Sequence, residues 1–269
     1  AYIGMIGSKR KIRLMRDEFI SQGWATESQL DRVYAPVGLE IGSKTVQEIA
    51  VSICAQLVQI RHQRHHLRKL PSVTAIILGA GESSRMGKPK LLLPFGDRTM
   101  IGTVISNVLA SSVEKVIVVL GSNYESHRQA IKDYPVEIVN NKRYREGMLS
   151  SVKCGLKAVF DAADAVMVLL GDQPMIQAAE MDQLIESYMD SEKEIAIATH
   201  EKRRGHPILF GRKFISELTG YPREASLRDL LQNHPSEILE MKTGNDGILR
   251  DIDTENDYQF ELKHHHKHE

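Results

Sequence analysis

The chain has almost no cysteine, with Cys54 and Cys154 its only two in 269 residues. Two thiols cannot make a disulfide framework. Each sits in an apolar helical pattern, so both are expected as buried thiols of a reducing compartment, and the cytoplasm is the expected location. There is no surplus charge of either sign, because Lys plus Arg and Asp plus Glu each total 35. That excludes a surface given over as a whole to nucleic acid or an anionic membrane, so any work done by charge must be local. No apolar run approaches the ~18 residues of a membrane span, and the opening AYIGMIGSKRKIRLM lacks the layout of a secretory signal.

Histidine is the residue in local excess. Seven of the 11 lie in HQRHH at 62–66 and in HHHKHE at the C-terminus. Neither cluster has the spacing or the mixed ligands of a built metal site, and the second reads as a tail outside the fold.

From Val73 onward, short β-branched runs alternate with amphipathic stretches: VTAIILG, MIGTVISNVLAS, KVIVVLG, YESHRQAIKDY, VEIVN, SSVKCGLKAVF, AVMVLLGD, IQAAEMDQLIESYM and EIAIAT. Such alternation predicts an α/β domain, a parallel sheet covered by helices on both faces. Ligands of such sheets bind beyond the carboxyl ends of the strands, which singles out the residues after VTAIILG and AVMVLLG. The first 65 or so residues differ, with a strand-like YIGMI, a helix in SKRKIRLMRDEFISQG, a turn region YAPVGLEIG and a helix in KTVQEIAVSICAQLVQIRH. RHQRHHLRKLPS reads as a basic connector closed by a proline. The expected division is a short α/β segment over 1–65, a linker over 66–72, the main domain over 73–262 and a tail over 263–269.

The turn GAGESSRMGKPK admits several readings. A P-loop requires four residues between its glycines and a hydroxyl after Gly-Lys; here five residues separate Gly81 from Gly87, and Pro89 follows Lys88. A dinucleotide fingerprint requires a third glycine where Ser84 stands, followed by a helix start that PKLLLPF does not supply. A third reading takes the small residues as letting main-chain N–H groups approach an anion, with Arg85, Lys88 and Lys90 placing charge along a polyphosphate. A glycine turn beside a solvated basic patch is the remaining alternative.

LGAGESSRMGKPKLLLPF resembles the signature of nucleotidyltransferases with the MobA-like fold, roughly L-x-A-G-x-S-x-R-M-G-x-x-K-x-L-L-P. The resemblance implies a Rossmann-like nucleotide-diphospho-sugar transferase fold, mostly parallel with helices on both faces. It also implies a nucleoside-triphosphate site at Leu78, Ala80, Gly81, Ser83, Arg85 and Lys90. GDQP is similar to the family's metal-binding aspartate motif, which makes Asp172 a magnesium ligand, with manganese as a substitute. A helix-capping aspartate is the alternative. DIDTENDY resembles the acidic stretch that closes the family's domain and offers Asp253, or Asp251, as second ligand; Thr254 and Asp257 alternatively read as a capping pair for a last helix.

RRGHPILF and SLRDLLQNHP are similar to segments of the molybdenum cofactor cytidylyltransferase group. There His206 would contact the acceptor, or else serve as a structural histidine at a turn. EGMLSSVKCGL resembles the group's base-holding segment and offers Gly147, Ser150 and Ser151. YIGMIGSKRK and APVGLEIGSKTVQEIAVSICAQLV make residues 1–65 look like the closing part of the C-terminal domain of XdhC/CoxI accessory proteins, which handle molybdenum cofactor for molybdenum hydroxylases, so a hydroxylase is the implied client. The resemblances together imply a magnesium-dependent transfer of CMP from CTP to molybdopterin with release of pyrophosphate, in which Lys90, Arg85 and Asp172 carry the chemistry. Guanylyl transfer, transfer to a sugar phosphate, and a carrier that delivers the cofactor without turnover are the alternatives.

Overall fold

Residues 2–67, 71–159 and 163–265 are described in the computed structural model. The chain divides into two units, residues 1–69 and 70–269. No helix among the described residues is long and apolar enough to cross a membrane.

The first unit holds α1 (Lys9–Ser21), α2 (Glu27–Leu30) and α3 (Val46–Leu67). Ser8 starts α1 by accepting the Lys11 N–H, and Thr26 forms a capping box with Gln29 at α2. YIGMI is not a regular strand: it makes one bridge, Gly4 to Tyr34, flanked by Met5 N–H to Tyr34 O at 2.9 Å. The run RHQRHHL belongs to α3 rather than to a connector, and of the expected linker residues 68–70 lie outside the described residues. Cys54 is exposed, not buried as its apolar surroundings in sequence suggest. Among the unit's described residues only Ile12, Leu30 and Ile60 are buried apolar side chains, and the buried residues described in α3 are Ser52 and Ile60. Cys154, in the second unit, is half-buried.

The second unit runs β1 (Val73–Gly79), β2 (Pro94–Phe95), β3 (Arg98–Thr99), α4 (Met100–Leu109), β4 (Lys115–Leu120), α5 (Tyr124–Ile131), β5 (Glu137–Asn140) and α6 (Met148–Leu156). It continues with β6 (Ala165–Leu170), α7 (Ala178–Met189), β7 (Ile195–His200), β8 (Arg203–Gly211), α8 (Arg212–Gly220), α9 (Leu227–Asn233), β9 (Ile238–Lys242) and α10 (Glu255–His265). Residues 266–269 of the expected tail lie outside the described residues.

Seven strands form one sheet in the order β5-β4-β1-β6-β8-β7-β9, while β2 and β3 make a separate hairpin. Successive residues of each central strand point to opposite faces. Ile77, Val118 and Met167 pack under α4 and α7, and Ile76, Ile117 and Val168 under α6 and α8. The sheet is not wholly parallel, because β8 runs antiparallel to both β6 and β7. Only Glu201 and Lys202 separate β7 from β8, both at positive φ (47° and 66°). A link that short closes a hairpin of mirror-image turn type, whereas a parallel return needs a crossover.

β1 lies between β4 and β6, its parallel neighbours on either side. After β1 the chain builds outward through β4 and β5, then returns to the other side of β1 as β6. The carboxyl ends of β1 and β6 therefore flank a crevice at the point where the winding reverses.

Candidate active site

β1 runs into the glycine-rich turn at that crevice. Gly79 is tightly packed, since a Cβ there would lie 3.2 Å from Leu91 Cδ1 and Ile101 Cδ1 and would push those side chains aside. Beyond it, Ser83 takes a left-handed conformation (φ 52°), its carbonyl accepts Met86 N–H at 3.1 Å, and its Oγ accepts Lys90 N–H at 3.3 Å. Lys90–Leu92 then form a single 3-10 turn, which brings Lys90 back to the mouth of β1. A Cβ on Gly81 would meet nothing within 4 Å; the turn is open on that side. Together with Asp172 and Asp253 it encloses a cleft of about 190 Å³.

The two aspartates arrive from distant segments. β6 is prolonged one residue by Gly171 N–H to Leu78 O at 2.9 Å, which sets Asp172 opposite the turn. The carbonyl of Asp172 then accepts the N–H of Ile252 at 3.1 Å, holding the 251–253 segment against it. Lys90 Nζ donates to Asp172 Oδ2 at 2.6 Å and to Asp253 Oδ1 at 2.8 Å, and Arg85 donates to the other oxygen of Asp253. The Lys90 side chain is only 11% exposed. Burial by itself would lower its pKa, but the charges and hydrogen bonds of Asp172 and Asp253 outweigh that and raise it above the ordinary lysine value. The hydrogen bond from Lys90 lowers the Asp253 carboxyl, with Lys90 and Arg85 charge adding to it.

Asp172 is not the cap of the following helix, since Gln177 and Glu180 form the box that starts α7. At the other end both readings of DIDTENDY coexist. Thr254 and Asp257 cap α10, with Thr254 N–H to Asp257 Oδ2 at 2.8 Å, while Asp253 just before them faces the cleft. Asp251 instead accepts from Gln173 Nε2 at 2.7 Å; burial, then the nearby charge of Asp172, raises its carboxyl.

Leu78, Gly81, Ser83, Arg85 and Lys90 all line the cleft. Ala80 does not: it is buried, and its carbonyl accepts Ser122 N–H at 3.2 Å. Ser150 and Ser151 are buried as well, accepting 2.9 and 3.0 Å bonds from Asn141 Nδ2, and the single Ser150 hydroxyl proton is shared between the carbonyls of Gly147 and Arg143, at 2.8 and 3.0 Å. Their hydroxyls hold the 141–147 loop together, and neither caps α6. Gly147 sits in that loop at φ 97°, with open space at its Cβ position. Glu82 reaches across from the glycine-rich turn to Arg145 at 2.8 Å and Tyr144 at 3.3 Å, tying the turn to this loop.

His206 lies in strand β8, not at a turn, and lines a groove of about 740 Å³ with Met148, Lys202, Arg203 and Arg228. The residue is partly exposed, yet its Nε2 is shut off from solvent with no hydrogen-bond partner. Burial lowers its pKa to about 4. The ring is therefore neutral near neutral pH, and the positive character of the groove comes from the arginines and Lys202. Sequence reasoning passed over those cations, although Arg203 and Arg228 lie inside the quoted segments and Lys202 directly precedes one, and it missed Asn141, whose buried amide no spacing rule marks.

Among the described residues no group of three or more His, Cys, Asp or Glu is placed to hold a metal ion. The donor set at the cleft is two carboxylates. That suits a hard divalent cation completed by phosphate oxygens and water, and does not suit an ion that needs an all-protein cage.

Residues 75–238 match the family model described as the MobA-like NTP transferase domain, and residues 1–57 match the XdhC Rossmann domain. The chain is 28% identical over 191 residues to the molybdenum cofactor cytidylyltransferase of Escherichia coli strain K12, across 70% of this chain and 95% of that protein. It is also 28% identical over 197 residues to the nicotine blue oxidoreductase of Paenarthrobacter nicotinovorans, across 69% of this chain and 94% of that one. The crystal structure of Rv0371C in complex with manganese, from Mycobacterium tuberculosis H37Rv, superposes with a TM-score of 0.62 at 25% identity, covering 71% of this chain and 98% of that one. With the glycine-rich turn, Asp172 and the reversal of winding all inside the matched span, the chain belongs to the MobA-like NTP transferase family, as a nucleotidyltransferase preceded by an XdhC-type segment.

Proposed function

We propose that the protein transfers CMP from CTP to the phosphate of molybdopterin and releases pyrophosphate, in the service of a molybdenum hydroxylase. The observation that carries the chemistry is the cleft, where Lys90 and Arg85 face Asp172 and Asp253 beside a turn open at Gly81. Overall likeness does not separate a cytidylyltransferase from an oxidoreductase, since relatives of both kinds are 28% identical to this chain. A cluster of two cations and two carboxylates answers to a triphosphate with a divalent ion.

Main-chain N–H groups of the turn would hold the phosphates, with Arg85 and Lys90 taking the charge that develops on the α-phosphate and the departing pyrophosphate. An acceptor phosphate oxygen forms the new bond to the α-phosphorus as the bond from that phosphorus to the bridging oxygen breaks. The attacking phosphate is already anionic, so no general base is required. Asp172 and Asp253 would hold magnesium, or manganese in its place, which supplies charge neutralisation at both the attacked and the leaving phosphates. The basic groove around His206 is suited to an anionic acceptor with a flat or apolar body, and there His206 would offer a neutral ring while Lys202, Arg203 and Arg228 offer charge. The match of residues 1–57 to an XdhC domain and the 28% identity to a molybdenum cofactor cytidylyltransferase support the choice of acceptor.

A thermal-shift panel with magnesium and CTP, GTP, ATP or UTP tests the choice of base. Stabilisation by CTP above the others is expected. Stabilisation by GTP alone would overturn the cytidylyl assignment.

A further inference from the structure

Asp172 and Asp253 already share a cation that belongs to the chain. Lys90 Nζ bonds both carboxylates, at 2.6 and 2.8 Å, and Arg85 takes the remaining oxygen of Asp253. The four side chains sum to no net charge. A divalent ion drawn to the same two carboxylates meets the Lys90 ammonium already lying between them, so the two cations repel and compete for the pair's negative charge.

The Lys90 main chain is held in place by the 3-10 turn and by its N–H bond to Ser83 Oγ at 3.3 Å. Its side chain is too enclosed, at 11% exposure, to swing freely into water. If displaced with no anion at hand, the ammonium is left in a narrow cleft beside a doubly charged ion. With a triphosphate lying along Gly81 and Arg85, it has phosphate oxygens to move to within the same cleft.

We propose that Lys90 is an exchangeable counter-ion, neutralising Asp172 and Asp253 until a triphosphate takes it, so that cation and triphosphate bind with strong positive coupling. This rests on the reading of the two aspartates as the cation's ligands. Coupling of this kind is reciprocal, so the cation strengthens triphosphate binding by the same factor as the triphosphate strengthens cation binding.

The test uses the full chain without acceptor. CTP binding is measured by equilibrium dialysis with and without Mn²⁺, and Mn²⁺ binding without nucleotide is followed by the paramagnetic resonance signal of the free ion. In the wild type, Mn²⁺ is expected to raise CTP affinity by about tenfold or more. Lys90→Met, which keeps the stem and removes the charge, is expected to bind Mn²⁺ alone about tenfold more tightly than the wild type, and Lys90→Arg to stay within about threefold of it. Lys90→Met binding Mn²⁺ no more tightly than the wild type would overturn the proposal. If circular dichroism shows Lys90→Met unfolded, the wild-type coupling decides: CTP bound equally well with and without Mn²⁺ sinks the counter-ion role and leaves the transferase reading standing. No CTP binding in either condition sinks the transferase reading itself.

Discussion

The N–H of Ile252 donates to the carbonyl of Asp172 at 3.1 Å, and through this one main-chain bond the C-terminal acidic segment is held against the end of β6. Asp253 follows directly, so two carboxylates from distant parts of the chain meet at Lys90. Neither carboxylate packs in the core. Asp172→Ala and Asp253→Asn are each expected to cut pyrophosphate release by about 100-fold or more while unfolding stays cooperative. A variant that loses activity only because its unfolding transition has broadened or vanished would assign the residue to the fold instead.

Asn141 makes the opposite prediction. Its amide bonds the hydroxyls of Ser150 and Ser151 inside the protein, so Asn141→Ala leaves buried groups without partners and is expected to cost about 1–3 kcal/mol of stability. Urea unfolding measures that cost directly. Unchanged stability together with weakened CTP binding would return Ser150 and Ser151 to the nucleotide.

His206 sets a pH dependence. Its folded-state pKa is lowered from 6.5 to about 4, so between those values the unfolded chain takes up a proton that the folded protein refuses. Stability is fully present above about 6.5 and falls as the pH drops toward 4, with a slope of at most ~1.4 kcal/mol per pH unit, and this group contributes no further loss below that. His206→Gln is expected to flatten this part of the profile measured by denaturant unfolding. Parallel profiles for variant and wild type would mean that the ring is reached by water.

The cleft lined by Gly81, Lys90, Asp172 and Asp253 is formed within residues 70–269. A protein lacking residues 1–66 is therefore expected to bind CTP within about threefold of the full chain. Loss of binding on that deletion, in a fragment that still unfolds cooperatively, would mean the first segment completes the site.

Much of this was legible because the physics is local. VTAIILG and AVMVLLG are short apolar runs of the kind a doubly covered sheet buries, and the glycine turn with its closely spaced cations marks where the cleft lies. The direction of β8 was not legible, because Glu201 and Lys202 form a mirror-image turn without the asparagine or glycine that usually marks one. Nor was the exposure of Cys54, since apolar residues run around α3 while only Ser52 and Ile60 among its described residues are buried. Ser150 and Ser151 carry hydroxyls that suit a ligand or a loop equally well, and only the buried amide of Asn141 shows where they are directed.

The central claim is the joining of a nucleotide to molybdopterin at the Lys90, Asp172 and Asp253 cleft. The most direct measurement is pyrophosphate release by the purified protein with magnesium, molybdopterin and each of CTP, GTP, ATP and UTP in turn. Release that requires both molybdopterin and CTP, and disappears with Asp172→Ala, is the predicted result. No release from any triphosphate, or release that persists without molybdopterin, would contradict the account.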